Sequence, residues 1–196
     1  GLKRLEYRGY DSAGVAVVSK QGMRLARSVG RVSVLESQLH SDPTGEAVDP
    51  AFTGYLGIAH TRWATHGQPS EANAHPHTGK TKSGHTIALV HNGIIENHAT
   101  LRKYLTEKGH TFHSETDTEA LAVLIAELYD GDLEQAVQAA LREVTGAYAI
   151  AVVCDNEPHT LVCARKGSPL IIGIADKSYV VASDASAIVS HTTQVI

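Results

Sequence analysis

Residues 86–109 read TIALVHNGIIENHATLRKYLTEKG. The run from Thr86 to Val90 is apolar, has the length of a buried strand and stops at His91-Asn92-Gly93. From about His98 to Lys108 the apolar residues fall at helical spacing, and Gly109 closes the segment as a helix C-terminal glycine does. A strand, a loop and a helix are therefore expected in that order, with Asn92 and Gly93 on the loop.

Working downstream, Thr116 and Glu119 have the capping-box spacing for a second helix running through Tyr129. Asp132 stands in the same relation to Gln135 and begins a third, which ends before Gly146. From Ala147 the chain turns to β structure: AYAIAVVCD, a partner across Asn156 to His159, then PLIIGIA and SYVVASD, read together as a meander of buried strands. Upstream, Ser12 to Ser19 and Met23 to Val29 form a hairpin about Gln21-Gly22, and a polar stretch from Ser41 to Pro50 leads to a strand at Leu56 to Thr61. Strands first, helices in the middle and strands last is the order of an α+β layered fold. Two packed sheets with helices outside are expected.

At 196 residues and 42% hydrophobic content the chain is long enough for one well-buried core. Its 17 Lys and Arg against 21 Asp and Glu form no block of either sign, which argues against nucleic acid as a partner. No apolar stretch approaches the roughly 18 residues of a membrane helix, and no basic-then-apolar leader opens the chain, so a soluble protein is expected. Cys154 and Cys163 sit in apolar β-like runs, where reduced thiols are the common outcome and a disulfide between neighbouring strands is the alternative.

The densest polar cluster is His60-Thr61-Arg62-Trp63-Ala64-Thr65-His66-Gly67 at the end of a strand. Arg62 offers a planar fork that suits a carboxylate, and Trp63 a flat apolar wall, although a surface arginine over a packed tryptophan fits the residues as well. Asn92-Gly93 is a common hairpin turn. Here a helix succeeds it, with no returning strand, so a glycine N–H and an amide are left in reach of a ligand, the donor set of an oxyanion hole. Asp117 stands at a helix N-terminus, where the dipole alone explains it and a substrate ammonium would explain it equally. Twelve histidines, among them His60, His66, His75 and His77, raise the question of a metal, but no ligand spacing of a zinc site occurs and none is expected.

Six segments carry a resemblance: LEYRGYDSAG (5–14), HTRWATHG (60–67), NAHPH (73–77), HNGIIEN (91–97), SETDTE (114–119) and KGSPL (166–170). Together the chain resembles the glutaminase domain of glutamine:fructose-6-phosphate amidotransferases, within the N-terminal-nucleophile hydrolase superfamily. The resemblance implies a four-layer αββα sandwich. It also implies hydrolysis of L-glutamine to glutamate and ammonia, and use of the ammonia by sugar-isomerase domains of the same full-length chain to convert fructose 6-phosphate to glucosamine 6-phosphate. No cofactor and no metal are implied. A cytoplasmic enzyme that is a homo-oligomer when full length is.

By the same resemblance, Arg62 binds the α-carboxylate of glutamine and Asp117 its α-ammonium. Thr65 and His66 line the pocket, and Trp63 forms its movable wall. Asn92 through its side chain and Gly93 through its N–H stabilise the oxyanion, and Arg8 lies near the nucleophile. In the family that nucleophile is an N-terminal cysteine whose free α-amine is the general base. The sequence opens instead at Gly1, in what resembles the family's first helix, and ends before the family's closing strands. A domain truncated at both ends, without its first strand and inactive for lack of the cysteine, is the expectation.

Overall fold

Alternation along the strands decides the layers. The computed structural model describes residues 1–40, 47–63 and 67–196, the side chain of Arg8 excepted. In β1 (Ser12–Ser19), Ala16 and Val18 enter one core while Ala13 and Val15 enter another. In β5 (Thr86–Ile95), Ile87 and Leu89 face one side and Ala88 and Val90 the other. β6 (Gly146–Cys154) divides the same way, with Ile150, Val152 and Cys154 opposite Ala151 and Val153. Strands that are apolar on both faces must be covered on both.

β1 is the middle of a three-stranded antiparallel sheet, between β2 (Gly22–Val29) and β3 (Leu56–Arg62). β5 and β6 are the middle of a four-stranded one, flanked by β4 (His77–Lys80) and β7 (Val162–Lys166). The two sheets meet face to face through Ala16, Val18, Ile58, Ala88, Val90 and Val153. Outside the larger sheet lie α2 (His98–Glu107), α3 (Asp117–Leu128) and α4 (Leu133–Arg142), over the largest core of the molecule. Outside the smaller sheet, α1 (Val32–Gln38) buries Val32 and Leu35 against Ala13, joined by Leu2 of a 3-10 turn at Leu2–Arg8. The fold is a four-layer αββα sandwich.

The helix starts obey the capping residues. Thr116 Oγ1 accepts from the Glu119 N–H at 3.4 Å, but the Glu119 carboxylate does not return the bond; it accepts from the N–H groups of His113 and Ser114, each at 2.8 Å. Asp132 accepts from the Gln135 N–H at 2.9 Å, and the Gln135 amide donates back to Asp132 at 2.8 Å.

Three sequence expectations need correction. Asn92 and Gly93 are not on a loop: β5 continues to Ile95, with Asn92 opposite Ala149 and Gly93 opposite Tyr148. Pairing with β6 overrides the local turn signal because glycines stand where the backbones close up. A Cβ on Gly93 (φ 138°) would lie 2.0 Å from the Ala147 carbonyl oxygen, and one on Gly146 (φ 134°) 2.1 Å from that of Ile94. The C-terminal strands are not one meander: β7 joins β6 in the larger sheet, whereas β8 (Ile171–Ala175) and β9 (Ser178–Ala182) form a separate two-stranded sheet, with Gly173 of β8 also bridged to Val195. Lastly, α1 and β4 are additional elements, and α3 stops at Leu128, with Tyr129 already extended. Part of the polar stretch expected from Ser41 to Pro50 lies outside the described residues. Both cysteines are free, and among the described residues no helix is long and apolar enough to cross a membrane.

Candidate active site

The last residues of β3, the middle of β5 and the start of α3 converge on a cleft of about 650 Å³, within the roughly 300–1,000 Å³ of small-molecule sites. Arg62, Trp63, Asn92, Gly93 and Asp117 all line it. Residues far apart in sequence are brought together because β3 and β5 belong to facing sheets, while α3 packs over the end of β5. Thr65 and His66 lie outside the described residues. Arg8 is in the 3-10 turn at Leu2–Arg8, which packs beside β3.

Arg62 is buried at the end of β3 and held in one orientation. Nη1 lies 3.4 Å from Asp11 Oδ1, and Nη2 donates to the Gly67 carbonyl at 3.2 Å. Asp11 is itself fixed by its own N–H, which donates to the Arg62 carbonyl at 2.8 Å. A guanidinium anchored on two sides is held in a fixed geometry. Trp63, by contrast, is 66% exposed. Its ring lies over Gly9, where a Cβ would fall 1.4 Å from the indole.

Asp117, buried as the first residue of α3, accepts from the Ile95 N–H at 2.7 Å through Oδ2, which lies 4.0 Å from His91 Nδ1. His91 Nδ1 is also 3.0 Å from Thr118 Oγ1. Two of the resembling motifs are laced together nearby. Asn73 donates to the Gln68 carbonyl and to Glu115 and accepts from the Glu115 N–H, while His77 Nε2 meets Thr116 Oγ1 at 3.0 Å.

Of the histidines that raise the question of a metal, His60, His75 and His77 are described and His66 is not. Among the described residues no group of three or more ligand side chains is placed to hold a metal. These histidines instead form a stack. The rings of His60 and His75 lie 4.3 Å apart at 19°, and His77 meets His75 edge-on at 4.9 Å. Burial holds His60 at about 4 and His77 at about 3, pushes His75 well below its usual value and lowers His91 as well, so the cluster is neutral at pH 7. The signal in the sequence is that His60 and His91 each end an apolar run, Leu56–Ala59 and Ile87–Val90.

Residues 60–190 match the family described as "Glutamine amidotransferase domain". This chain belongs to the glutamine amidotransferase domain family. Over its full length this amidotransferase domain is 49% identical to a glutamine–fructose-6-phosphate aminotransferase (isomerizing) of Clostridium perfringens and 53% identical to that of Bordetella pertussis. It spans about 30% of the length of those curated relatives. Among solved structures, it is similar to a glutamine phosphoribosylpyrophosphate amidotransferase from B. subtilis, with 26% identity, a TM-score of 0.76, and coverage of 95% of this chain and 38% of that one. A structure titled as the allosteric regulatory enzyme of purine biosynthesis gives a TM-score of 0.77 at the same identity and coverage. The amidotransferase domain thus has the α+β sandwich of these enzymes.

Proposed function

We propose that this domain binds L-glutamine and supports its hydrolysis to glutamate and ammonia, and that in the full-length protein the ammonia converts fructose 6-phosphate to glucosamine 6-phosphate. The observation that carries the reading is the lining of one cleft by a buried, anchored arginine, a buried aspartate and an exposed-backbone glycine beside an asparagine. An amino acid offers a carboxylate for Arg62 and an ammonium for Asp117. Its side-chain carbonyl, on becoming tetrahedral, develops the negative charge that the Asn92 amide and Gly93 N–H are suited to meet.

In the chemistry that the resemblance implies, a cysteine thiolate adds to the glutamine side-chain carbonyl, the C–N bond breaks to release ammonia, and water cleaves the thioester to glutamate and free thiol. Neither cysteine of this chain fits that role. Burial pushes Cys163 to about 11 and Cys154 upward, so both are protonated at pH 7, and neither lines the cleft. The thiolate of the proposed reaction is the family's N-terminal cysteine.

Identity near 50% to fructose-6-phosphate aminotransferases, against 26% to the phosphoribosylpyrophosphate enzyme, favours the sugar phosphate as acceptor. The test is to supply the full-length protein with glutamine and fructose 6-phosphate and monitor glutamate and glucosamine 6-phosphate together. Equal formation of both is expected. Glutamate without the amino sugar would remove this acceptor, and no glutamate at all would remove the glutaminase reading.

A further inference from the structure

We infer that His60 is a positioning residue that orients the Asn92 amide so that its NH2 group faces the cleft. The inference rests on the proposed role of Asn92 as an oxyanion donor. An asparagine side chain has two faces of nearly identical shape, one donating and one accepting. Only the donating face stabilises an oxyanion, and the accepting face would repel it, so something must select between them.

The selection is made across the two sheets. Asn92 Oδ1 on β5 accepts from His60 Nε2 on β3 at 2.8 Å. This requires the Nε2–H tautomer, and the surroundings of the other nitrogen favour it. His60 Nδ1 is buried with no hydrogen-bond partner among the described residues. A proton on Nδ1 would find no acceptor there and would leave a bare Nε2 facing Oδ1 with no proton between two acceptors, forfeiting a hydrogen bond worth about 0.5–1.5 kcal/mol. Burial keeps the imidazole neutral, with an ordinary value of 6.5 lowered to about 4. The ring is also prevented from turning. It stacks on His75, whose Nδ1 accepts from the His91 N–H at 3.3 Å, so the residue preceding Asn92 helps hold the ring that orients Asn92. With Oδ1 engaged by His60, the amide nitrogen is turned away from that ring, and Asn92 itself lines the cleft.

The experiment compares His60→Phe and His60→Gln in the full-length protein. Phenylalanine keeps the stack and removes the donor, while glutamine places an N–H near the position of Nε2. His60→Phe is expected to lower kcat for glutamine hydrolysis about tenfold with KM nearly unchanged, less than the roughly 10²–10³-fold of deleting an oxyanion donor outright. His60→Gln is expected to recover most of that loss. In an Asn92→Ala background, His60→Phe should add less than about a twofold loss, because residues that act through one another are not additive.

A His60→Phe loss that persists in full without Asn92, one that appears in KM instead of kcat, or one that His60→Gln fails to recover would overturn the inference. Thermal unfolding of the same preparations separates a general packing defect from a kinetic one. If Asn92→Ala itself leaves kcat unchanged, the proposed oxyanion role fails first and the inference fails with it. If Asn92→Ala is slow and His60→Phe is additive to it, only the inference fails.

Discussion

Asp117 Oδ2 accepts the backbone N–H of Ile95 at 2.7 Å. The first residue of α3 is thereby tied to the last residue of β5, just beyond Asn92 and Gly93. One carboxylate thus has two employments open to it, closing the strand end and meeting a substrate cation, and substitution separates them. Asp117→Asn keeps an acceptor for Ile95 but removes the charge. It is expected to raise the glutamine KM about 10–100-fold, the worth of a charged hydrogen bond of about 1.5–3 kcal/mol, with only a few tenths of a kcal/mol lost in stability as the helix dipole loses its partner. A stability loss with an unchanged KM would assign Asp117 to the helix alone.

Arg62→Lys should raise the glutamine KM by tenfold or more, with a smaller effect on the rate at saturation. A lysine ammonium cannot span Asp11 and the Gly67 carbonyl while presenting a planar fork to a carboxylate. Steady-state kinetics on the full-length protein decide the matter, and an unchanged KM would remove Arg62 from the binding site.

For Asn92→Ala the expected result is a kcat for glutamine hydrolysis lower by about 10²–10³-fold, with glutamine affinity little altered. The contact is made to a charge that exists only in the transition state, so its loss weakens the ground state little. Unfolding measured on the same preparation is the control: lost stability with intact kcat would reduce Asn92 to a strand residue.

Gly93→Ala tests the strand itself. The new methyl would meet the Ala147 carbonyl at 2.0 Å, in a backbone conformation with φ of 138° that L residues rarely adopt. A loss of at least about 1–3 kcal/mol in urea unfolding is expected. A neutral result would contradict the pairing of Gly93 with Tyr148.

Stability should fall as pH drops below about 6.5. Imidazoles of the unfolded chain take up protons near 6.5, whereas burial keeps folded His60 neutral down to about 4 and His77 down to about 3. Between those limits the unfolded state binds the extra protons, so each group contributes a slope of up to about 1.4 kcal/mol per pH unit, with stability highest on the neutral side. Urea midpoints from pH 7 to pH 4.5 report it, and His77→Gln should remove about one group's share. A flat profile would show that the cluster is not buried as described.

Much of the fold was legible because burial leaves a periodic trace. The alternation in Ser12–Ser19 and the helical spacing from His98 both sort residues by face, and the capping residues Thr116 and Asp132 mark helix starts through local hydrogen bonds that need no tertiary context. The short elements α1 and β4 were not legible, since seven and four residues carry too few repeats to reveal a period.

By its residue types and their order alone, the sequence determined the family, the α+β layering and the identity of Arg62, Asn92, Gly93 and Asp117 as chemically apt residues. Their meeting was decided only by tertiary structure. Asn-Gly is locally a turn, and it became mid-strand because β6 supplied a partner whose own glycine allowed the backbones to close up. His60 and Asn92 lie 32 positions apart, on strands of opposing sheets, and no local preference of either could set which face of the amide looks into the cleft. That choice depends on a hydrogen bond across the sandwich and on burial that withholds a proton from His60, and both exist only once the two sheets have packed.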